Sequence, residues 1–179
     1  EGWLKRVSAP VSRDLEIAEI TDRVSKSAGG RNVALLFENV SGFDMPVLIN
    51  AFGSRERMAA ALGVDRLDEV SARVAKLLDL RVPGSAFDKL RKLGDLFGLA
   101  KAGPKRVRSA PCQEVVETEH PSLATLPALR CWPGDGGRYI TLPMVFTRDP
   151  VTGARNVGMY RLQVYDDQTL GMHWQIHKG

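Results

Sequence analysis

Two histidines four positions apart, His173 and His177, are the most tempting candidates for metal chemistry in the sequence. On a helix, this spacing would place both imidazoles over a single zinc ion. The segment from Met172 to His177 alternates apolar and polar residues, however, and this is the periodicity of a strand. On a strand, residues four apart share a face but lie about 13 Å from each other, too far for one metal ion. We therefore reject a two-histidine zinc site, and the pattern alone favours a half-buried strand.

General catalytic motifs are absent from the sequence. It contains no glycine-rich dinucleotide fingerprint, no phosphate-binding loop and no nucleophile elbow. Its two cysteines, Cys112 and Cys131, are far apart and form no CxxC pair, so we expect two free thiols in a reducing compartment. Any chemistry must therefore come from single polar residues that the folded elements bring together.

The first part of the chain predicts helices interleaved with short buried strands. A helix is expected after the capping residue Ser12, ending at the glycines 29–30, and further helices are expected at residues 54–62, 67–80 and 85–99. Short apolar runs at residues 32–37 and 47–50 predict two strands. This alternation is typical of an α/β unit, which we place at residues 1–111.

After residue 111 the pattern changes to that of strands. Strands are expected at residues 112–117, 138–148, 155–165 and 169–177. Turn residues at 150–153 and 166–168 predict two hairpin connections between the last three strands. The fold class is therefore α+β, with the first part of a second, antiparallel unit at residues 112–179.

The net charge of +4 is a local feature. Lys101, Lys105, Arg106 and Arg108 lie in one stretch without acids, and the other 21 basic residues balance the 21 acidic ones. The glycine and prolines of this stretch are typical of a solvated linker, and it lacks the interleaved aromatic residues of a nucleic-acid site. No apolar run approaches the roughly 20 residues of a membrane span. We expect a cytoplasmic protein with no nucleic-acid partner and at most peripheral membrane contact.

Many separated segments of the chain resemble carboxy-lyases of the UbiD family, in collinear order. The most specific are Gly-Gly-Arg-Tyr-Ile-Thr-Leu-Pro at 136–143, Thr-Arg-Asp-Pro at 147–150, Asn-Val-Gly-Met-Tyr-Arg-Leu-Gln at 156–163 and His-Trp-Gln-Ile-His-Lys-Gly at 173–179. In the first half the resemblance extends over residues 4–7, 14–18, 37–40 and 50–54. It implies that the antiparallel unit is the start of a flavin-binding domain of split-barrel type.

The resemblance also implies an activity. Members of this family carry out non-oxidative, reversible decarboxylation of aromatic or α,β-unsaturated carboxylic acids with prenylated FMN and Mn²⁺ or Mg²⁺, and K⁺ is a further candidate ion. A polyprenyl hydroxybenzoate of ubiquinone synthesis fits as the substrate, and so do cinnamate-like, phenolic and heteroaromatic acids. A flavin prenyltransferase would supply the cofactor, and the protein would form a homo-oligomer.

By resemblance, Asn156 is a metal ligand, since a carboxamide oxygen suits a hard divalent ion. His177 is a second candidate for the metal or the flavin phosphate. Without the resemblance, Asn156 would be interpreted as a turn residue that follows Gly153. Its partner in the same motif, Arg161, corresponds to the arginine that faces the substrate carboxylate, for which a planar and permanently charged fork is suited. The alternative for Arg161 is an ordinary surface salt bridge.

The resemblance assigns the flavin to three short stretches, namely Met159, Tyr160 and Arg161, then His173, Trp174 and Gln175, then Lys178 and Gly179. Asn156 and Arg161 are five residues apart, so an ideal strand would direct them to opposite faces. Gly158 between them is the expected position of a β-bulge that re-aims the side chains.

The family's glutamate metal ligand and its proton-transferring carboxylates would lie beyond Gly179, so we expect the sequence to be part of a longer polypeptide that is inactive as it stands. Two other classes of function remain open. The first is a non-catalytic flavin-binding or assembly module. The second is a nucleic-acid binder acting through Lys101 to Arg108.

Overall fold

The computed structural model describes residues 2–29, 31–78 and 105–174. They form two compact units, one made of Glu1–Arg57 with Glu119–Gly179 and the other of Met58–Thr118. Both helices and antiparallel sheets are present, which agrees with the α+β class. The predicted helix at 85–99 lies outside the described residues, and the domain boundary near residue 111 stays a prediction.

The first sheet contains the strands β1 (Leu4–Val7), β2 (Ala34–Phe37) and β3 (Val47–Ile49), in that order. β1 pairs with β2 in parallel, and β2 pairs with β3 antiparallel. The helix α1 (Glu16–Ser25) lies in the crossover that a parallel pair requires. Ile17 of α1 packs with the buried side chains of β2 and its flanks to form the core, whose members are Val11, Ile17, Leu35, Phe37 and Val40.

The structure confirms the strands β2 and β3 and the burial of β2, whereas β3 is not buried, since Leu48 in its middle is 56% exposed. It also corrects the start of α1. Ser12 does not cap α1, because its Oγ accepts the backbone N–H of Asp14 at 3.1 Å, and the helix begins only at Glu16. Leu15 precedes the helix with a φ of 69°, and its N–H donates to the Arg130 carbonyl at 2.9 Å. The helix ends at Ser25, before the glycines that were expected to end it.

The next two helices are α2 (Arg55–Ala61) and α3 (Leu67–Leu78), close to the predicted bounds. Ser54 caps α2, since its Oγ accepts the backbone N–H of Arg57 at 3.2 Å. Arg57 itself is only 7% exposed and reaches back to the turn that follows β3. This buried cation is the most unusual packing feature of the first unit.

Five short strands follow, namely β4 (Arg138–Ile140), β5 (Met144–Arg148), β6 (Arg155–Met159), β7 (Leu162–Val164) and β8 (Leu170–Met172). They form an antiparallel sheet of order β4-β7-β8 and a separate hairpin of β5 and β6. Both predicted hairpin connections are confirmed, since β5 pairs with β6 and β7 with β8.

Two predicted long strands are each divided between these sheets. The strand expected at 138–148 breaks before Pro143, whose missing N–H interrupts a ladder, and the strand expected at 155–165 breaks at Tyr160 and Arg161. The strand expected at 112–117 is wrong. A one-turn 3₁₀ helix at Pro111–Gln113 takes its place, and Val115 is 89% exposed without a ladder partner.

The β5–β6 hairpin has one apolar face that is exposed in the described structure. Met144 lies opposite Met159 and Phe146 opposite Val157, and all four side chains are largely solvent-accessible. In the basic stretch, Lys105, Arg106 and Arg108 are exposed, whereas Lys101 lies outside the described residues. Among the described helices, none combines the length and the apolar character that a membrane crossing requires.

Candidate functional site

Two of the three stretches predicted to contact a flavin lie side by side. Arg161 stands between β6 and β7, and His173 follows β8 directly. The backbone N–H of His173 donates to the carbonyl of Arg161 at 3.0 Å, which extends the β7–β8 pairing by one step. The rings of Tyr160 and Trp174 lie 5.5 Å apart with their planes tilted by 60°. The hairpin therefore joins stretches that are 12 residues apart in sequence.

The guanidinium of Arg161 is held on two sides. Its Nη2 lies 2.9 Å from Oδ2 of Asp135, and its central carbon lies 3.6 Å above the ring of Tyr139. The Arg161 side chain keeps 39% exposure, whereas that of Asp135 keeps only 11%. The cation is thus oriented by a carboxylate and an aromatic face and still has an accessible edge.

The loop before β4 presents Asp135 to this arginine. The backbone N–H of Trp132 donates to Asp135 Oδ2 at 3.1 Å, and the Asp135 N–H donates to the Trp132 carbonyl at 3.1 Å. Burial raises the pKa of the Asp135 carboxyl, but the hydrogen bond and charge of Arg161, with backbone N–H groups of Trp132 and Cys131, outweigh it and lower the pKa below its usual range. Asp135 is therefore ionised at neutral pH, unlike a general acid.

Tyr139 is fixed in turn by the β4–β7 pair. It lies opposite Gln163, and its hydroxyl donates to Gln163 Oε1 at 3.2 Å. Gln163 Nε2 donates to the Gly136 carbonyl at 3.0 Å, which ties the loop to the sheet. We call Asp135, Tyr139, Arg161 and Gln163 the arginine cluster.

In the β5–β6 hairpin, two of the predicted site residues, Asn156 and Met159, lie on opposite faces of β6. Asn156 is half-buried and lies opposite Thr147, whereas Val157 and Met159 occupy the other, exposed face. The expected bulge at Gly158 is wrong, because Gly158 pairs with Val145 in an unbroken register and the chain departs from the strand only after Met159.

Gly158 is required for a different reason. A Cβ built on it would lie 2.5 Å from Cε2 of Tyr160, a ring that is 5% exposed. We expect Gly158→Ala to displace Tyr160 from Trp174 and to destabilise the protein by about 1–3 kcal/mol, the usual cost of overpacking. Urea unfolding gives the free energy, and near-ultraviolet circular dichroism reports on the two rings.

Gly134→Ala is the matched control for this prediction. A Cβ there meets nothing within 4 Å, and the backbone is in an ordinary region. The control should unfold within about 0.5 kcal/mol of the unsubstituted protein. An unchanged aromatic signal in Gly158→Ala would contradict the contact between Gly158 and Tyr160.

The remaining predicted residues are only partly described. His173 and Trp174 are exposed after β8, whereas Gln175, His177, Lys178 and Gly179 lie outside the described residues. Within the described ranges, no group of three His, Cys, Asp or Glu side chains could hold a metal ion. Of the predicted metal ligands, Asn156 alone is placed by the structure.

Cys131 lies next to the arginine cluster but is not a reactive thiol. Burial and the neighbouring Asp135 charge raise its pKa, and Arg161 opposes them only in part. A thiol with a raised pKa is protonated at neutral pH and is a poor nucleophile. The accessible chemistry of this region is therefore a fixed cation stacked on the Tyr139 ring, which is suited to a planar anionic ligand.

Sequence reasoning missed Asp135 and gave Tyr139 no role. Asp135 sits in the turn-like segment Pro-Gly-Asp-Gly-Gly at 133–137, where an acid is normally interpreted as solvated. No local signal marks it, because β4 lies beside β7, the strand that follows Arg161, only in the folded sheet.

Two family models match the chain. Residues 1–77 match the N-terminal domain of 3-octaprenyl-4-hydroxybenzoate carboxy-lyase, and residues 105–179 match the Rift-related domain of the same family. A curated relative, an uncharacterised protein of Archaeoglobus fulgidus, is 50% identical over 178 residues, which are 99% of this chain and 36% of the relative. The chain thus spans about a third of the length of such relatives.

Solved structures give the same result. The UbiD-class enzyme HmfF from Pelotomaculum thermopropionicum, in an evolved dimeric form with prFMN, is 31% identical with a TM-score of 0.74, over 98% of this chain and 36% of that one. Vanillic acid decarboxylase of Sedimentibacter hydroxybenzoicus is 29% identical with a TM-score of 0.69, over 96% of this chain and 33% of that one.

Proposed function

Because the chain belongs to the UbiD family of carboxy-lyases, we propose that the protein carries out the non-oxidative, reversible decarboxylation of an aromatic or α,β-unsaturated carboxylic acid. One observation carries this proposal. Arg161 is fixed by Asp135 and Tyr139 and keeps an accessible edge, and its neighbour in the chain, Tyr160, packs its ring against Trp174. A fixed planar cation next to aromatic surface suits a planar carboxylate.

The chain's own residues would bind and orient the substrate. Arg161 would pair with the carboxylate through its accessible edge, and a bidentate contact would fix the plane of that group. The exposed ring of Trp174 and the side chain of Met159 would contact the flavin or the substrate ring. We propose prenylated FMN as the cofactor, which would act as an electron sink for the electrons released when CO₂ leaves.

The described residues fit a flavin better than they fit a complete metal site. The ring pair and Arg161 suit an aromatic, anionic group, whereas Asn156 supplies a single carboxamide oxygen. We propose that Asn156 and His177 hold Mn²⁺ or Mg²⁺ together with ligands from a longer polypeptide, and K⁺ remains a candidate. The proton donor would come from the same source, since Asp135 is held ionised.

The antiparallel strands are compatible with part of a split-barrel domain, and we include that architecture in the proposal. We also propose that the protein is a cytoplasmic homo-oligomer and that a flavin prenyltransferase supplies its cofactor. The proposed substrates include polyprenyl hydroxybenzoates and cinnamate-like, phenolic and heteroaromatic acids.

The test uses the complete polypeptide produced together with a flavin prenyltransferase. The purified protein should carry a flavin absorption spectrum and should release CO₂ from at least one acid of a panel of hydroxybenzoates, cinnamates and furan carboxylates. Flavin retention without CO₂ release or exchange of labelled CO₂ would favour the non-catalytic binding module. Absence of both would contradict the proposed function.

Asn156→Ala should lower the metal content and the flavin retention of the complete protein. The loss should be graded and partly reversed by excess Mn²⁺, because remaining ligands leave a weaker site that mass action can fill. Metal analysis and the flavin spectrum measure the two quantities independently of turnover. Asn39→Ala, at an exposed loop asparagine that donates to the Ser8 carbonyl at 3.4 Å, is the control and should keep both. If Asn156→Ala keeps the metal content and flavin retention of the wild type, Asn156 is not a metal ligand.

A further inference from the structure

The contacts of Arg161 single out one carboxylate, that of Asp135, whose effect on turnover the proposed function does not state. We infer that Asp135 is a positioning residue for decarboxylation: it fixes the orientation of the Arg161 guanidinium over Tyr139, so that the accessible edge meets the substrate carboxylate in one geometry. This inference rests on the proposed function, because Arg161 is the residue through which Asp135 acts.

Geometry is the first support for this role. A guanidinium on a flexible stem can rotate unless both its plane and one of its edges are fixed. The Tyr139 ring, 3.6 Å from the central carbon, fixes the plane, and Asp135 Oδ2, 2.9 Å from Nη2, fixes the edge. Both partners are themselves held, Tyr139 by Gln163 and Asp135 by the Trp132 N–H. The orientation of Arg161 therefore does not depend on a bound ligand.

The rigidity of the loop is the second support. Asp135 accepts hydrogen bonds from Arg161 Nη2 and from the N–H of Trp132 on the same oxygen. Gln163 binds the Gly136 carbonyl one residue later. A carboxylate in this position is an anchored group and not a mobile surface acid, as its 11% side-chain exposure shows.

The negative charge of Asp135 allows a role in positioning Arg161 to be distinguished from a role in stabilising the fold. Asp135 partly neutralises Arg161, so it weakens the ground-state attraction for a substrate carboxylate while it improves alignment. Asp135→Asn keeps the shape but removes the negative charge, so the charge-assisted bond to Arg161 Nη2 becomes a weaker neutral one and the arginine loses its anchor. Loss of Asp135 should therefore lower kcat without raising KM. If Asp135 only stabilised the fold, its loss would instead reduce the amount of folded, active protein.

The experiment measures kcat and KM of the complete, flavin-loaded protein with Asp135→Asn, with Arg161→Lys and with both changes. We expect Asp135→Asn to lower kcat by about tenfold or more, since small misalignment of reacting groups costs up to about 100-fold, with KM unchanged or lower. In the Arg161→Lys background, the same change should cost less than about threefold, because residues that act through one another are non-additive. Flavin content and melting temperature of each variant are measured in parallel.

Asp166→Asn is the matched control, because Asp166 is also a loop carboxylate that accepts a backbone N–H, from Gln168 at 2.9 Å, in the β7–β8 turn. It should leave kcat and KM unchanged. A kcat within threefold of wild type in Asp135→Asn, or an equal loss with and without Arg161, would overturn the inference.

A complete protein without turnover would refute the proposed function, and benzoate binding then decides the role of Asp135. Titration with benzoate should give tighter binding to Asp135→Asn than to the unsubstituted protein, through the uncompensated charge of Arg161. The gain should vanish when Arg161→Met is added. Equal affinity of Asp135→Asn and the unsubstituted protein would overturn the inference even in the absence of activity.

Discussion

Arg161→Lys should lower the kcat/KM of the complete, flavin-loaded protein by about 100-fold or more. Lysine keeps the positive charge, but it has no planar guanidinium that could contact Asp135 along one edge while its face lies on Tyr139. The substrate carboxylate would then meet a mobile point charge instead of a fixed fork. A displacement of about 1 Å in a reacting group is enough to cost on the order of 10²-fold in rate. Steady-state kinetics on the best acid of the panel, with the flavin content of each sample, measure the effect.

Arg138→Lys is the control for this substitution. Arg138 is the first residue of β4, in the sheet that Arg161 adjoins; its side chain is 42% exposed, and it pairs with Asp14 at 3.2 Å. An exposed pair of this kind is worth about 0–1 kcal/mol, so lysine should replace it with less than a threefold change in kcat/KM. Near-normal turnover of Arg161→Lys with its flavin retained would instead place Arg161 in the same class as Arg138 and outside the active site.

Burial explains why some of the strands could be predicted from the sequence. The apolar run of β2 is buried on both faces, so composition alone identified it. β1 was not predicted because Leu4, Lys5 and Arg6 are exposed and the strand exists through its pairing with β2. The breaks inside residues 138–148 and 155–165 were missed for a related reason. Apolar alternation continues across them, while the chain changes from one sheet to the other.

The candidate site was likewise only partly predictable from the sequence. Arg161 and the aromatic residues around it were predicted through family resemblance, and the β7–β8 hairpin brings their two stretches together. Asp135 could not be predicted from local pattern, because its burial and its contact with Arg161 depend on a loop anchored by Gln163 from another strand. Gly158 was selected correctly as a special position but for the wrong reason, since only the folded ring of Tyr160 reveals the close approach.

Arg57→Met should lower the free energy of unfolding by about 2–4 kcal/mol. The Arg57 side chain is 7% exposed and donates to the carbonyls of Asn32, Ala51 and Asn50 at 2.7, 3.1 and 3.1 Å, and to Asn32 Oδ1 at 3.2 Å. Methionine has an unbranched apolar side chain without donors, so these oxygens lose their partners. Each buried acceptor left unpaired costs about 1–3 kcal/mol, and partial access of water reduces the sum.

The turn that Arg57 supports explains why its loss is severe. Asn50 has a φ of 58°, a region that is unfavourable without compensation, and its side chain donates to Asn32 Oδ1 and the Val33 carbonyl at 2.8 Å each. Arg57 therefore closes a network that joins the end of β3 to the residues before β2. Urea unfolding of Arg57→Met and of Arg55→Met, an exposed arginine on the same helix, separates this network from helix propensity. The Arg55 variant should remain within about 0.5 kcal/mol of the unsubstituted protein, and an equally small change for Arg57 would mean that water satisfies the carbonyls.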